Sequence, residues 1–455
     1  MKRVRLVLGK YIKIITTPPG PKARQLLKKD EEIITPSLRR FHPLFIDSGS
    51  GCLIKDVDGN EYIDFDSGAS CLNLGHCHKE ITKSINEQAK KYLHFPYSSF
   101  HNEIILNLGE KILEITPGNH KKKLFYCASN SEAIEAATKL VFWHTRKPLL
   151  FAYLNAYHGE TLAATTLTAD ISVRKRYFPK LDSSVIHLPY PYCYRCPFKL
   201  TYPECNYLCI EFIEENYLEK NAPSEEVSAI FFESIQSEGG MIIPPKEYFQ
   251  KIKKMLDKYD ILIVDDEAHT SIARTGRWFA IDHWKIVPDI ICFSNSLASG
   301  LPLAVMISNA ELMDWENGSN FNFVGGNALA SSVANKVIDL IQKEKLIENS
   351  IKEGNYLLRR LNEMKEKYDI IGDVRGKGLM TGIEIIMDSN DKAPNEDEST
   401  EIMKKCFRRG LILTMCGSSV LKMTPPLTIK RDMIDEGLLI IESAIKEVYH
   451  ERLKN

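Results

Sequence analysis

The sequence predicts an α/β protein, with a mostly parallel seven-stranded sheet in a large domain and a smaller α+β domain beside it in the chain. Three features point there. From Lys123 onward short β-rich runs alternate with helical patterns, as strands and crossover helices of a parallel sheet do. Two carboxylates, Asp265 and Asp266, follow one apolar run, and ligands of such sheets bind at strand C-terminal ends. The flanking segments read differently, as a hairpin upstream and long amphipathic helices downstream.

The N-terminus is basic, but Lys10 and Lys13 interrupt its apolar run before a signal-peptide core or cleavage site forms, so a cytoplasmic protein is expected. Gly59 lies in Asp-Val-Asp-Gly-Asn, a hairpin-type turn between Cys52 to Lys55 and Glu61 to Phe65, which suggests a separate small sheet. The seven strands are expected at Leu124 to Tyr126, Leu149 to Tyr153, Val185 to Leu188, Ala229 to Phe232, Ile261 to Val264, Ile290 to Phe293 and Ala304 to Ile307. Between them, Ser131 to Phe142 and Lys246 to Tyr259 carry apolar residues three and four apart, the spacing of surface helices over a sheet. Ala328 to Glu344 and Ser350 to Tyr368 read as long helices, Val374 to Ile386 follows, and Asp432 to Tyr449 is a closing helix. The polar stretch from Asp388 to Ser399 reads as a mobile loop, and no internal repeat appears.

Composition narrows the function classes. The 455 residues carry 59 basic and 60 acidic side chains, a net charge of −1, so no global field favours nucleic acid or an anionic membrane. An apolar share of 44% excludes a disordered chain and supplies a large core. Ile290 to Ala310 lacks charged residues, but Ser294, Asn295, Ser296, Ser299, Gly300 and Pro302 make it strand, loop and strand rather than a membrane span. Eleven scattered cysteines are odd in number and too sparse for a secreted disulfide framework. Lys121 to Lys123, the Asp282-His283 pair and the His76, His78 pair read as structural features rather than ligand sites.

The segment Ile-Leu-Ile-Val-Asp-Asp-Glu-Ala-His-Thr-Ser-Ile-Ala-Arg-Thr-Gly, residues 261–276, resembles the Asp-Glu strand end of class III pyridoxal-phosphate aminotransferases. Further matches run nearly end to end: Asp56 to Asp64, Gly75-His76, Tyr157-His158-Gly159, Glu233 to Gly240, Arg274-Thr275-Gly276, Gly325-Gly326-Asn327, Val374 to Leu379 and Pro425-Pro426-Leu427. The resemblance implies the fold-type-I arrangement, with an N-terminal arm and part of the small domain in 1–66, a large cofactor domain in 67–328, and a linking helix and C-terminal small domain in 329–455. It also implies pyridoxal 5′-phosphate as cofactor, an amino or oxo acid as small-molecule partner, and a homodimer or tetramer, with neither nucleic acid nor membrane as partner. Carried over by position, Asp266 pairs with the protonated ring nitrogen, His269 meets the phenolic oxygen, and Tyr157 stacks on the ring. Ser129, Asn130 and Ser131 fall at the phosphate cradle of a helix N-terminus, and Glu233 and Arg375 match further family positions, Arg375 on the substrate side. Ser129 reads equally as a helix N-cap, and Tyr157 as a core aromatic.

The departures decide what function to expect. In Pro288-Asp289-Ile290-Ile291-Cys292-Phe293-Ser294-Asn295, Asn295 stands where the family places its Schiff-base lysine, and no lysine occurs between Lys285 and Lys336. An amide neither condenses with an aldehyde nor shuttles the substrate α-proton. Asn130 replaces a usual glycine of the phosphate cradle, Phe323 stands at the usual threonine, and Lys422 replaces an arginine that binds the substrate carboxylate. The expected function is therefore a 4-aminobutyrate or ω-amino-acid transaminase homologue with activity lost or severely reduced. The alternatives are an active aminotransferase or amino-acid racemase using a different lysine, and a non-catalytic assembly partner of an active paralogue.

Tyr190 to Phe198 with Cys205 and Cys209 forms C-x2-C-x8-C-x3-C, compatible with four thiolates around zinc. The Tyr-Arg-x-Pro-Phe run resembles the active-site loop of the 4-aminobutyrate and archaeal racemase branches, in some of which such a cysteine pair holds an iron–sulfur cluster. Free thiols, disulfides and a metal are all open for Cys193, Cys196, Cys205 and Cys209, and no metal is assigned.

Overall fold

A computed structural model describes residues 7–176, 184–294 and 296–454. They form two units, one of residues 80–347 and one combining 1–79 with 348–455.

In the 80–347 unit the seven expected strands form one sheet, in the order Lys122–Cys127, Ala304–Asn309, Ile290–Phe293, Leu262–Asp266, Val227–Phe232, Leu149–Tyr153, Val185–Leu188. Only Ala304–Asn309 runs antiparallel to its neighbours, so the other six strands present their C-terminal ends along one edge. Val227–Phe232 is buried at all six positions, as a central strand covered on both faces should be. Helix Asn130–Thr145 covers one face through Ala133, Ala136, Ala137, Leu140 and Val141, and its three alanines let it sit close above Phe231, Val264 and Cys292. Helix Tyr248–Lys258 buries Phe249, Ile252 and Leu256, and Phe249 packs on Phe232 and Trp284.

Charged residues at the start of the Lys122–Cys127 strand have a local reason. The Lys122 ammonium donates to the carbonyls of Thr116, Pro117 and Gly118, just past helix Glu103–Ile115, so it closes a helix end before the strand begins.

In the other unit the expected hairpin pairs Leu53–Asp56 with Glu61–Asp64. Asp56 organises its turn: Oδ1 accepts from the amides of Asp58 and Asn60, and Oδ2 from the Asn60 carboxamide and the Tyr62 hydroxyl. The hairpin belongs to a six-stranded sheet, and a four-stranded antiparallel sheet is built from Ile371–Lys377, Met380–Ile385, Val420–Met423 and Thr414–Cys416. Helix Arg431–Arg452 crosses Phe65 at Gly437, where a Cβ would lie 2.5 Å from the ring.

One expectation is corrected. Asp388 to Ser399 is not a single loop, because helix Glu396–Arg408 starts within it, with the Asn395 carboxamide accepting from the Glu398 amide as its N-cap. Glu396, Asp397 and Glu398 then occupy the first turn, where the helix dipole favours acids. Among the described residues no helix is long and apolar enough to cross a membrane.

Candidate functional site

The strand C-terminal edge of the large sheet gathers most of the residues singled out by sequence. Asp266 ends the Leu262–Asp266 strand, 2% exposed. Burial of a carboxylate demands partners, and among the described residues Asp266 has three. The Asn130 carboxamide nitrogen lies 3.1 Å from Oδ1 and 3.2 Å from Oδ2. His158 Nδ1 lies 2.8 Å from Oδ2, and the Ala268 amide donates to Oδ1 at 3.1 Å. A carboxylate oxygen only accepts, so the Nδ1 of this contact carries a proton, and Nε2 takes no part in it. That Nε2 is buried and has no hydrogen-bond partner among the described residues.

Asn130 reaches Asp266 because it is the first residue of helix Asn130–Thr145, which starts just past the Lys122–Cys127 strand. Ser129 caps that helix by accepting from the Glu132 amide at 3.3 Å, while the Glu132 carboxylate accepts from the Ala128 amide at 2.8 Å. The N-cap reading of Ser129 is thus realised. Ser131 Oγ accepts from the Glu160 amide at 3.1 Å. Gly159 makes that approach possible: its φ is +134°, and a Cβ there would lie 2.2 Å from Ser131 Oγ.

Tyr157 and His158 follow the Leu149–Tyr153 strand, and the Tyr157 amide donates to Glu233 Oε1 at 3.0 Å. Glu233 also accepts from the Ser237 amide at 3.2 Å. Burial first, then the nearby Asp266 charge, pushes its carboxyl well above the usual range. The half-buried Tyr157 ring carries the Arg174 guanidinium 4.6 Å from its centroid, and Arg174 is in turn held by Asp170 and Glu160. His269 is half-buried three residues beyond Asp266.

Asp265 and Glu267 flank Asp266 in sequence and make different bonds. Asp265 accepts from the Ser234 hydroxyl at 2.9 and 3.0 Å, while Glu267 accepts from the Ile281 amide at 2.8 Å and from the Thr270 hydroxyl. Burial raises both carboxyls, that of Glu267 to about 7.

Other expected positions fall elsewhere. Asn295 lies outside the described residues. Phe323 is 66% exposed, with Phe321 stacked edge-on at 5.6 Å. In the unit containing the C-terminal half, Lys422 is buried within the Val420–Met423 strand, and Arg375 is engaged by Glu384 at 2.7 Å and Asp373 at 2.9 Å. Asp282 and His76 act structurally, through the Phe279 amide and Asp64 respectively.

Cys193, Cys196, Cys205 and Cys209 line one apolar cavity of about 20 Å³ with Phe198 and Leu208, and all four are free thiols. Burial pushes the Cys193 thiol up to about 11 and that of Cys209 to about 12. Among the described residues no three or more His, Cys, Asp or Glu side chains stand where they could hold a metal ion.

Local sequence indicates no role for His158 within Tyr-His-Gly, and Arg174 carries no sequence signal at all. The contact between Asn130 and Asp266 was also missed. It bears directly on the pyridoxal phosphate that the resemblance implies. A carboxylate offers roughly four lone-pair positions, and each Asp266 oxygen already accepts two contacts from within the chain. The site as arranged therefore does not fit a ring N–H⁺ at Asp266.

Comparison with known proteins agrees on the lineage. The family model described as Aminotransferase class-III matches residues 34–445. The chain is 35% identical over 451 residues to the alanine/serine racemase of Pyrococcus horikoshii, covering 98% of this chain and 94% of that protein. It is 37% identical over 416 residues to the leucine/methionine racemase of Thermococcus litoralis, with 91% and 93% covered. Among solved structures, a Bacillus anthracis aminotransferase superposes with a TM-score of 0.86 at 28% identity, covering 94% of this chain and 99% of that one.

Proposed function

Since the chain belongs to the class III aminotransferase family, whose cofactor is pyridoxal phosphate and whose fold is type I, we propose that it is a homologue without effective Schiff-base turnover. One observation carries the reading: no lysine occurs between Lys285 and Lys336, the stretch in which the resemblance sets Asn295 against the Schiff-base lysine. Relatives named as racemases of alanine and serine or of leucine and methionine, and a probable 4-aminobutyrate aminotransferase of Bacillus subtilis 30% identical over 428 residues, suggest the ancestral substrates. Those are α-amino acids or an ω-amino acid. Loss of a positioned general base alone costs roughly 10²- to 10⁴-fold in rate, and loss of the condensing amine adds to it.

The remaining residues then bind and position rather than react. His158 and Asn130 hold the Asp266 carboxylate, and Glu233 fixes the backbone of Tyr157. Purified chain incubated with pyridoxal phosphate, dialysed and reduced with borohydride tests the proposal by intact mass and peptide mapping. No stoichiometric adduct at any single lysine is expected. A full-occupancy adduct mapped to one lysine overturns the reading and makes the chain an enzyme using a different lysine.

A subunit role accompanies this reading, in a homodimer or tetramer of the chain itself or with an active paralogue. Large exposed aromatics support it: Phe95, Phe100, Phe321 and Phe323 are each more than half exposed.

A further inference from the structure

Of the three donors that Asp266 has among the described residues, only one is a side chain that can swing away without disturbing a strand or its flanking loop. The Ala268 amide is backbone, and His158 is fully buried, its own amide tied to Thr168 Oγ1 at 2.9 Å and its ring edge-on to Phe231. Asn130 projects from the exposed start of a helix whose cap, Ser129 with Glu132, makes no use of the carboxamide. The donor end of that carboxamide spans both Asp266 oxygens, while its acceptor end, Oδ1, is buried with no hydrogen-bond partner among the described residues. A half-satisfied amide is a poor structural element, since its buried acceptor costs stability that an apolar or missing side chain would not. Among the described residues its one hydrogen-bond partner is the Asp266 carboxylate.

We propose that the Asn130 carboxamide is an internal competitor for Asp266, occupying the position that a protonated pyridine nitrogen must take, so that this residue sets how weakly the chain holds such a ring. The proposal rests on the reading of Asp266 as the carboxylate that meets the ring nitrogen, and it is independent of Asn295. A cationic ring N–H⁺ makes a stronger bond to a buried carboxylate than a neutral amide does. To form it, the ring must first displace Asn130. Without the carboxamide, the same carboxylate is held by His158 and Ala268 alone and has a free lone pair on each oxygen.

The test measures binding of pyridoxine 5′-phosphate to the full chain by equilibrium dialysis. This probe has the ring nitrogen and phosphate but no aldehyde, so surface lysines do not react with it and position 295 is not involved. A second probe replaces the ring nitrogen by C–H. Asn130→Gly and Asn130→Ala are compared with the unaltered chain, the alanine variant guarding against loss of helix stability, and circular dichroism checks folding. Expected is a gain of about ten- to a hundred-fold for pyridoxine phosphate in both variants, the range of a bond to a charged group, with little change for the nitrogen-free probe. Unchanged affinity for pyridoxine phosphate in folded variants overturns the proposal. An equal gain for both probes also overturns it, since Asn130 would then act only by filling space. Either failure leaves the Asn295 reading standing, because borohydride trapping decides that separately.

Discussion

The carboxamide nitrogen of Asn130 sits between the two oxygens of Asp266, at 3.1 and 3.2 Å, although 136 residues separate the two in sequence. On the proposed reading, this contact and the amide at position 295 block two different steps, ring binding and covalent capture. Their reversal should therefore be cooperative. Asn295→Lys alone is expected to trap cofactor substoichiometrically under borohydride, at a concentration where Asn295→Lys combined with Asn130→Gly is fully labelled at position 295. Full labelling of the single variant at the same concentration would show that Asn130 is no barrier.

His158 supplies the shortest of the contacts to Asp266, 2.8 Å, inside a fully buried environment. His158→Phe keeps a ring of similar size against Phe231 and removes the donor. The loss of one buried hydrogen bond to a charged acceptor is expected to cost about 1.5–3 kcal/mol. Urea unfolding followed by fluorescence measures it, and an unchanged midpoint would mean that Asp266 does not depend on the imidazole.

The sheet was legible because its strands are apolar runs broken by helical periods, and every one of the seven runs forms a strand of the sheet. Boundaries shifted where charge or polarity hid a strand. Lys122 opens one while its ammonium caps the 116–118 carbonyls, and Ser228 lies inside another with its hydroxyl donating to the Leu149 carbonyl. The misread Asp388 to Ser399 stretch held a usable signal, since Asn395 followed by three acids is a helix start rather than a loop. In the site, sequence order places residues at the strand ends but does not say which way they point. Whether Asn130 faces a ligand or a carboxylate depends on the angle at which its helix leaves the sheet, and local sequence does not encode that angle.

Glu267 gives the fold a pH dependence of definite sign. Its carboxyl is raised from 4.5 to about 7 by burial, so the native state holds its proton more tightly than the unfolded chain does. The stabilising contribution is fully present below about pH 4.5 and is lost as pH rises through 7. Glu267→Gln removes this dependence. Relative to that variant, the unaltered chain is expected to lose on the order of a few kcal/mol between pH 5 and 8, following the usual conversion of about 1.4 kcal/mol per pH unit. Parallel stability curves for the two proteins over that range would show that Glu267 titrates normally.

The cysteine loop is expected to behave as thiols. With Cys209 raised to about 12 and Cys193 to about 11, both are protonated near neutrality and slow to alkylate. Timed iodoacetamide labelling with peptide mapping at pH 7.5 should modify the exposed Cys77 before Cys209. Chelator treatment should leave the order and rates unchanged. Release of zinc or iron by the chelator, with faster labelling of all four loop cysteines, would instead establish a bound metal.

Assembly is the last expectation, and it follows from where aromatic surface is left. Phe95 packs edge-on against Phe100 at 5.9 Å, and Phe321 against Phe323 at 5.6 Å. The segments are neighbours, since the Asn327 carboxamide reaches the Leu93 carbonyl at 3.4 Å. Two aromatic pairs with more than half their surface in water, together with exposed Leu93 and Val324, make an apolar patch that a second subunit would bury. Light scattering after gel filtration at micromolar concentration should give a dimer or larger. Phe95→Ser with Phe323→Ser should shift it toward monomer, because each aromatic loses about 1.5–3 kcal/mol of burial on each side of a symmetric contact. A monomeric unaltered chain, or an assembly indifferent to both substitutions, would place the subunit contact elsewhere.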